Sequence, residues 1–167
     1  MPEKKTLERA AKAKRAGKSP STQAGAFVKE QIDHVREGKH GAKSAKQAIA
    51  IGLSEARRSG VKLKSPKKGT ASEATRKKAA QDTKAAHRTR KSPSTESKAK
   101  RSAVSTRVLK RESTKAASHK SLSRQSHAAA SRRSAADRSA SAKKGWATRR
   151  ARAAAASKGS RARHVSR

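Results

Sequence analysis

The sequence predicts an all-α protein: a small helical hairpin head followed by a long, largely disordered basic tail of marginal Ala/Ser/Lys/Arg helices. Forty-six Lys and Arg stand against eleven Asp and Glu in 167 residues, a formal charge of +35. Leu, Ile, Val and Phe together number fifteen, about 9% of the chain and well under the ~20% below which a strongly charged sequence lacks material for a core. Nine of those fifteen fall between Phe27 and Leu63, so only that stretch can fold by burial.

Four segments follow from this distribution: a basic N-terminal arm (1–20), a helical hairpin domain (21–64), a basic linker (65–97) and a low-complexity basic tail (98–167). Residues 1–64 hold sixteen basic and six acidic residues, whereas residues 65–167 hold thirty and five. Charge therefore rises where apolar content falls, the pattern of a foldable head with a polyanion-binding extension.

The first predicted helix runs from about Ala24 to Arg36. Ala24, Phe27, Val28, Ile32 and Val35 recur at three- and four-residue spacing and form one apolar stripe, with Lys29, Glu30, Asp33 and Arg36 off it. Ser21 and Thr22 after Pro20 mark its entry, and Gly38 with Gly41 its exit. The second helix begins at Ser44, whose hydroxyl and the Gln47 side chain three residues on have the spacing of a capping box. Ala45, Ala48, Ile49, Gly52, Leu53 and Ala56 give its apolar face, Gly60 ends it, and Val61 and Leu63 fold back onto the pair. So small a core predicts modest stability, and a homodimer through the 24–63 helices is one way to complete it. In the tail, Val104, Val108 and Leu109 keep helical spacing and the alanine runs at 128–130 and 153–156 favour helix. Isolated helices of that length are marginal in water, so these segments are expected to order when phosphates quench their charge.

Lys-Ser-Pro occurs three times, ending at Pro20, Pro66 and Pro93. The first and third copies read as helix starts. The middle one continues into Lys67 and Lys68 and resembles the Ser-Pro-Lys-Lys element of linker-histone tails, which sets cations in the minor groove; a solvated basic hinge is the competing reading. Lys39, His40, Lys43, Lys46, Arg57 and Arg58 cluster at the hairpin turn and on the polar side of its second helix, where a basic face is expected. Arg132, Arg133, Arg149, Arg150 and Arg152 are candidate phosphate clamps. Trp146, set among cations, is a candidate stacking side chain or an anchor to other protein surface.

Other chemistries find little material. The six histidines show no zinc-binding spacing and there is no cysteine, so no metal is expected. No phosphate-binding glycine loop, nucleophile elbow or carboxylate pair in an apolar segment is present, so the chain is read as non-enzymatic and without cofactor. The longest apolar run, Ala48 to Leu53, is far too short to span a bilayer, and residues 1–5 lead into no apolar leader.

The stretch Phe27–Val61 resembles a family of small basic bacterial proteins of unknown function whose members are often labelled DNA-binding protein. The resemblance rests on Gly38 to Gly41, Lys46 to Leu53 and Ala56 to Arg58, and on Lys18 to Gly25; it covers roughly residues 1–70. It implies a bacterial origin and a cytoplasmic, nucleoid-associated location, but no established activity. With the charge it leads to one expectation: largely sequence-nonspecific DNA binding through Lys/Arg–phosphate contacts. RNA or ribosome association, and a stress-protective role on membranes or proteins, are the alternatives.

Overall fold

Ser19 and Pro20 open the helix on which the front half is built. The Ser19 hydroxyl accepts from the Thr22 N–H at 3.4 Å and Pro20 occupies the first helical position, where its missing N–H costs nothing. The helix therefore starts four residues before the Ala24 that its apolar stripe marks. The computed structural model describes residues 2–66, 68–86 and 98–165, and the regular elements among them are all helices: α1 (Lys4–Arg15), α2 (Pro20–Arg36), α3 (Ala45–Arg58), α4 (Glu73–Ala85), α5 (Lys98–Lys110), a 3₁₀ helix (Thr114–Ala117), α6 (His119–Ser131) and α7 (Ala135–Val165), with no strand among the described residues.

The chain divides into two units, Met1–Ser123 and Arg124–Arg167. In the first, α2 packs along α3 and carries α1, while α4 lies on α3 and the 3₁₀ helix touches both α2 and α3. Residues 4–15, expected as an arm, form a helix whose Thr6 and Ala10 are buried. Gly52 sets the spacing of α2 and α3, because a Cβ there would lie 2.7 Å from Val28 Cα. Gly38 (φ 72°) and Gly60 (φ 89°) end α2 and α3 in the left-handed conformation that glycine adopts without strain.

Two apolar clusters result. Phe27 lies with Ala10, Ala24, Ala56 and Val61, flanked by Leu53 and Leu63; Val35 lies with Ala42, Ala48, Ala116 and Ala117, flanked by Ile32. Among the described residues, Phe27 and Val35 are the largest fully buried side chains. The second cluster draws on residues far downstream: Gly41 N–H donates to Leu109 O at 2.9 Å, Ala42 N–H to Ser113 O at 3.2 Å, and Arg36 Nε to Ala117 O at 3.1 Å.

Ser44 caps α3 as expected, accepting from the Gln47 N–H at 3.3 Å. Reciprocity is displaced by one residue, since Gln47 Oε1 accepts from the Lys43 N–H at 2.7 Å and not from that of Ser44. Glu30, read as facing outward, is buried, because α1 covers that side of α2. In α5 the spaced Val104 and Val108 are 51% and 54% exposed, so their stripe faces solvent.

The second unit has a different character. Ser134 opens α7, accepting from the Asp137 N–H at 3.1 Å and donating to Asp137 Oδ2 at 2.9 Å. From Arg124 to Ala154, where exposure is described, no residue is buried.

Candidate nucleic-acid interface

Stoichiometry sets the electrostatics before geometry does: with 46 cations and 11 carboxylates, at least 35 cations have no one-to-one carboxylate partner within the chain. Lys43 and Lys46 are exposed at the start of α3. Lys39, at the turn before it, is half-exposed and sits 2.9 Å from Glu37 and 3.5 Å from Glu3. Those carboxylates, Glu37 foremost, raise its pKa.

Arg58 is exposed at the far end of the helix. It donates to Ser54 Oγ at 3.0 Å and lies 3.8 Å from Asp82, which in turn accepts from Ser54 at 2.6 Å and ties α4 to α3. Twelve residues separate Lys46 from Arg58, roughly 18 Å of helix, so they do not converge on one ligand group. Arg57 does not join either end. It is 8% exposed, its Nη2 donates to Lys64 O at 3.5 Å, and its Nε has no hydrogen-bond partner. Burial pushes its pKa down against the opposing pull of Asp82. This guanidinium serves the interior and leaves the basic face.

Lys68 is exposed next to a turn in which Gly69 has positive φ, whereas Lys67 lies outside the described residues. Ser92 and Pro93 of the third Lys-Ser-Pro copy lie outside them too.

In the second unit every candidate is exposed. Arg132 and Arg133 precede α7, and Arg133 Nη2 donates to Asp137 O at 3.1 Å. On α7 the Arg150 guanidinium sits 4.6 Å from the Trp146 ring centre, a cation–π pair one helical turn apart. The indole remains 58% exposed. Arg149 and Arg152 flank that pair on the same exposed helix. This helix, exposed from residue 135 to 154, thus carries an aromatic ring and three guanidinium groups together on its surface.

Residues 27–35 conceal a further constellation. Glu30 and His34 are one turn apart on α2, and the start of the chain brings Glu3 against both: His34 Nε2 is 3.0 Å from Glu3 Oε1 and 4.0 Å from Glu30 Oε1. The sequence signal was the four-residue spacing of Glu30 and His34, which gives no hint of the third member.

The fold and its surface thus define a strongly basic, all-helical protein with two units. Residues 11–69 match a family of unknown function (DUF6496). No curated protein and no solved structure matches the chain. Among the described residues, no helix is long and apolar enough to cross a membrane.

Proposed function

We propose that the protein binds DNA without enzymatic activity and largely without sequence preference, through Lys/Arg contacts to phosphates. One observation carries this reading. The unit Arg124–Arg167 holds thirteen Lys and Arg against the single carboxylate of Asp137, and none of its residues with described exposure is buried. A segment with that charge and no core gains order from a polyanion, which neutralises its self-repulsion and orders its helices in one step.

Arg132, Arg133, Arg149, Arg150 and Arg152 supply phosphate contacts in this reading and Trp146 a stacking surface. Lys39, Lys43, Lys46 and Lys68 add a second basic area on the first unit, and Arg58 adds a further cation at the far end of α3. In a bacterial cell such a protein belongs on the nucleoid, in the cytoplasm. No dimer is proposed, because Ala24, Phe27, Val35, Ala48, Gly52 and Ala56, which a dimer through α2 and α3 would use, are buried within one chain.

Fluorescence anisotropy of the full chain on a labelled duplex, across a range of salt, tests the proposal. Neutralising about ten phosphates gives a log–log salt slope of about −9. Replacing the five arginines at 132, 133, 149, 150 and 152 by Gln is expected to make that slope shallower by about 4.5. An unchanged slope would remove the second unit from the interface. Preference for structured RNA in competition would redirect the reading to RNA, and binding only to anionic vesicles would replace it with a protective role.

A further inference from the structure

In a chain of charge +35, four of the eleven carboxylates, those of Glu3, Glu30, Asp33 and Glu37, line one cleft of about 200 Å³ between α1 and α2. Lys5, Arg9, Lys29 and Lys39 line it as well, so cations and carboxylates match four to four. Two of the cations already have carboxylates of their own: Lys29 is bonded to Asp33, and Lys39 lies 2.9 Å from Glu37. Glu3 and Glu30 remain, with His34 between them and Lys5 and Arg9 on the same cleft wall.

Glu30 is the anomaly. Its side chain is 4% exposed, its Oε1 accepts from the Glu3 N–H at 2.9 Å, and its Oε2 is buried with no hydrogen-bond partner. A buried carboxylate oxygen without a donor is costly, and a bound cation removes the cost directly. The ligand atoms for one are in place. One atom each from Glu3, Glu30 and His34 all lie within 4.8 Å of one another, and a tetrahedral zinc site with bonds of about 2.0 Å needs them about 3.3 Å apart. The Glu3–His34 distance of 3.0 Å is already that short.

We propose that Glu3, Glu30 and His34 form a binding site for a divalent transition ion of the zinc class, which clasps the start of α1 onto α2. An imidazole with two carboxylates is a donor set that suits zinc and disfavours magnesium. The ion takes the place of the hydrogen between His34 Nε2 and Glu3 Oε1; a neutral imidazole then carries its proton on Nδ1, and because the ion needs Nε2 and both carboxylates unprotonated, binding weakens in acid. Lys39, 3.5 Å from Glu3, gives up that contact and keeps Glu37. The ligands are separated by 27 and 4 residues, which is why histidine spacing alone does not disclose the site.

Calorimetric titration of the full chain with Zn²⁺, in a buffer that does not chelate it, is the test. One equivalent is expected to bind, with a rise in melting temperature and no comparable effect of Mg²⁺. Affinity is expected to fall at least about tenfold in His34→Ala and in Glu30→Gln, as loss of a ligand requires, but not in His127→Ala, whose imidazole lies in α6. Glu3→Gln removes a half-exposed ligand and guards against a misfolded His34 or Glu30 variant; its circular dichroism should match the parent while its Zn²⁺ affinity drops. Absence of a bound equivalent in the parent, or affinity unchanged from the parent in both Glu3→Gln and His34→Ala, would overturn the site and assign any uptake to other histidines. None of these results depends on whether the chain binds DNA.

Discussion

Gly52 and Gly145 each sit inside a helix, yet their surroundings have nothing in common. A Cβ at Gly52 would meet the backbone of Val28 and Phe27 at 2.7–3.0 Å, whereas one at Gly145 would meet nothing within 4 Å. The same contrast holds for the two large aromatics: Phe27 is 1% exposed and Trp146 58%. The first unit spends its few apolar residues on close helix contact, and the second spends its composition on charge and helix propensity alone. Apolar residues concentrated in about forty positions can supply a core to one unit but not to both.

The contrast between the units is tested most severely by Phe27→Ala. Loss of the largest buried side chain is expected to cost about 3–5 kcal/mol, enough to abolish the calorimetric transition of a domain this small. Trp146→Ala should leave that transition within about 0.5 kcal/mol of the parent while weakening nucleic-acid binding. A shared loss would mean that Trp146 is packed after all.

Gly52→Ala comes next, with an expected cost of about 1–3 kcal/mol as α2 and α3 move apart. Its counterpart, Gly145→Ala, is expected to raise helicity by circular dichroism through a propensity gain of about 1 kcal/mol. Ser44→Ala, which removes the cap of α3, should cost about 1 kcal/mol in chemical denaturation.

Acid–base behaviour provides the smallest effects, confined to the first unit. Hydrogen bonding from His34, with Lys39 nearby, lowers the Glu3 pKa below its ordinary 4.5. Its contribution is therefore present above 4.5 and lost as pH falls through the lowered value. Burial raises the Glu55 pKa above 4.5 despite a hydrogen bond from Gln31 at 2.7 Å. The folded chain then binds more protons, so stability falls as pH rises from 4.5 through the raised value. Glu55→Gln should flatten the alkaline side of that profile and Glu3→Gln the acidic side, as read by denaturant midpoints against pH.

Much of α2 and α3 was legible. The stripe through Ala24, Phe27 and Val35, the Ser44 cap and the glycines after each helix all follow from local rules that need no partner. What escaped involved partners distant in the chain. Glu30 reads as a surface residue until α1 covers it, and Arg57 as a surface cation until the chain returns at Lys64. Ala116 and Ala117 carry no signal that they complete a core begun at Val35. In the second unit the exposed arginines read the same way before and after folding, because no residue of described exposure there is buried.

The helical class, the excess charge and the position of the main apolar stripe were all readable before any fold was known. Each depends on composition or on spacings within a few residues, and neither changes when the chain folds. Helix packing alone fixed which polar groups face inward and which meet. It set Gly52 against Val28, turned Arg57 to the interior and brought Glu3 to Glu30 and His34, because such meetings depend on where separate helices pack and not on the residues beside them in sequence.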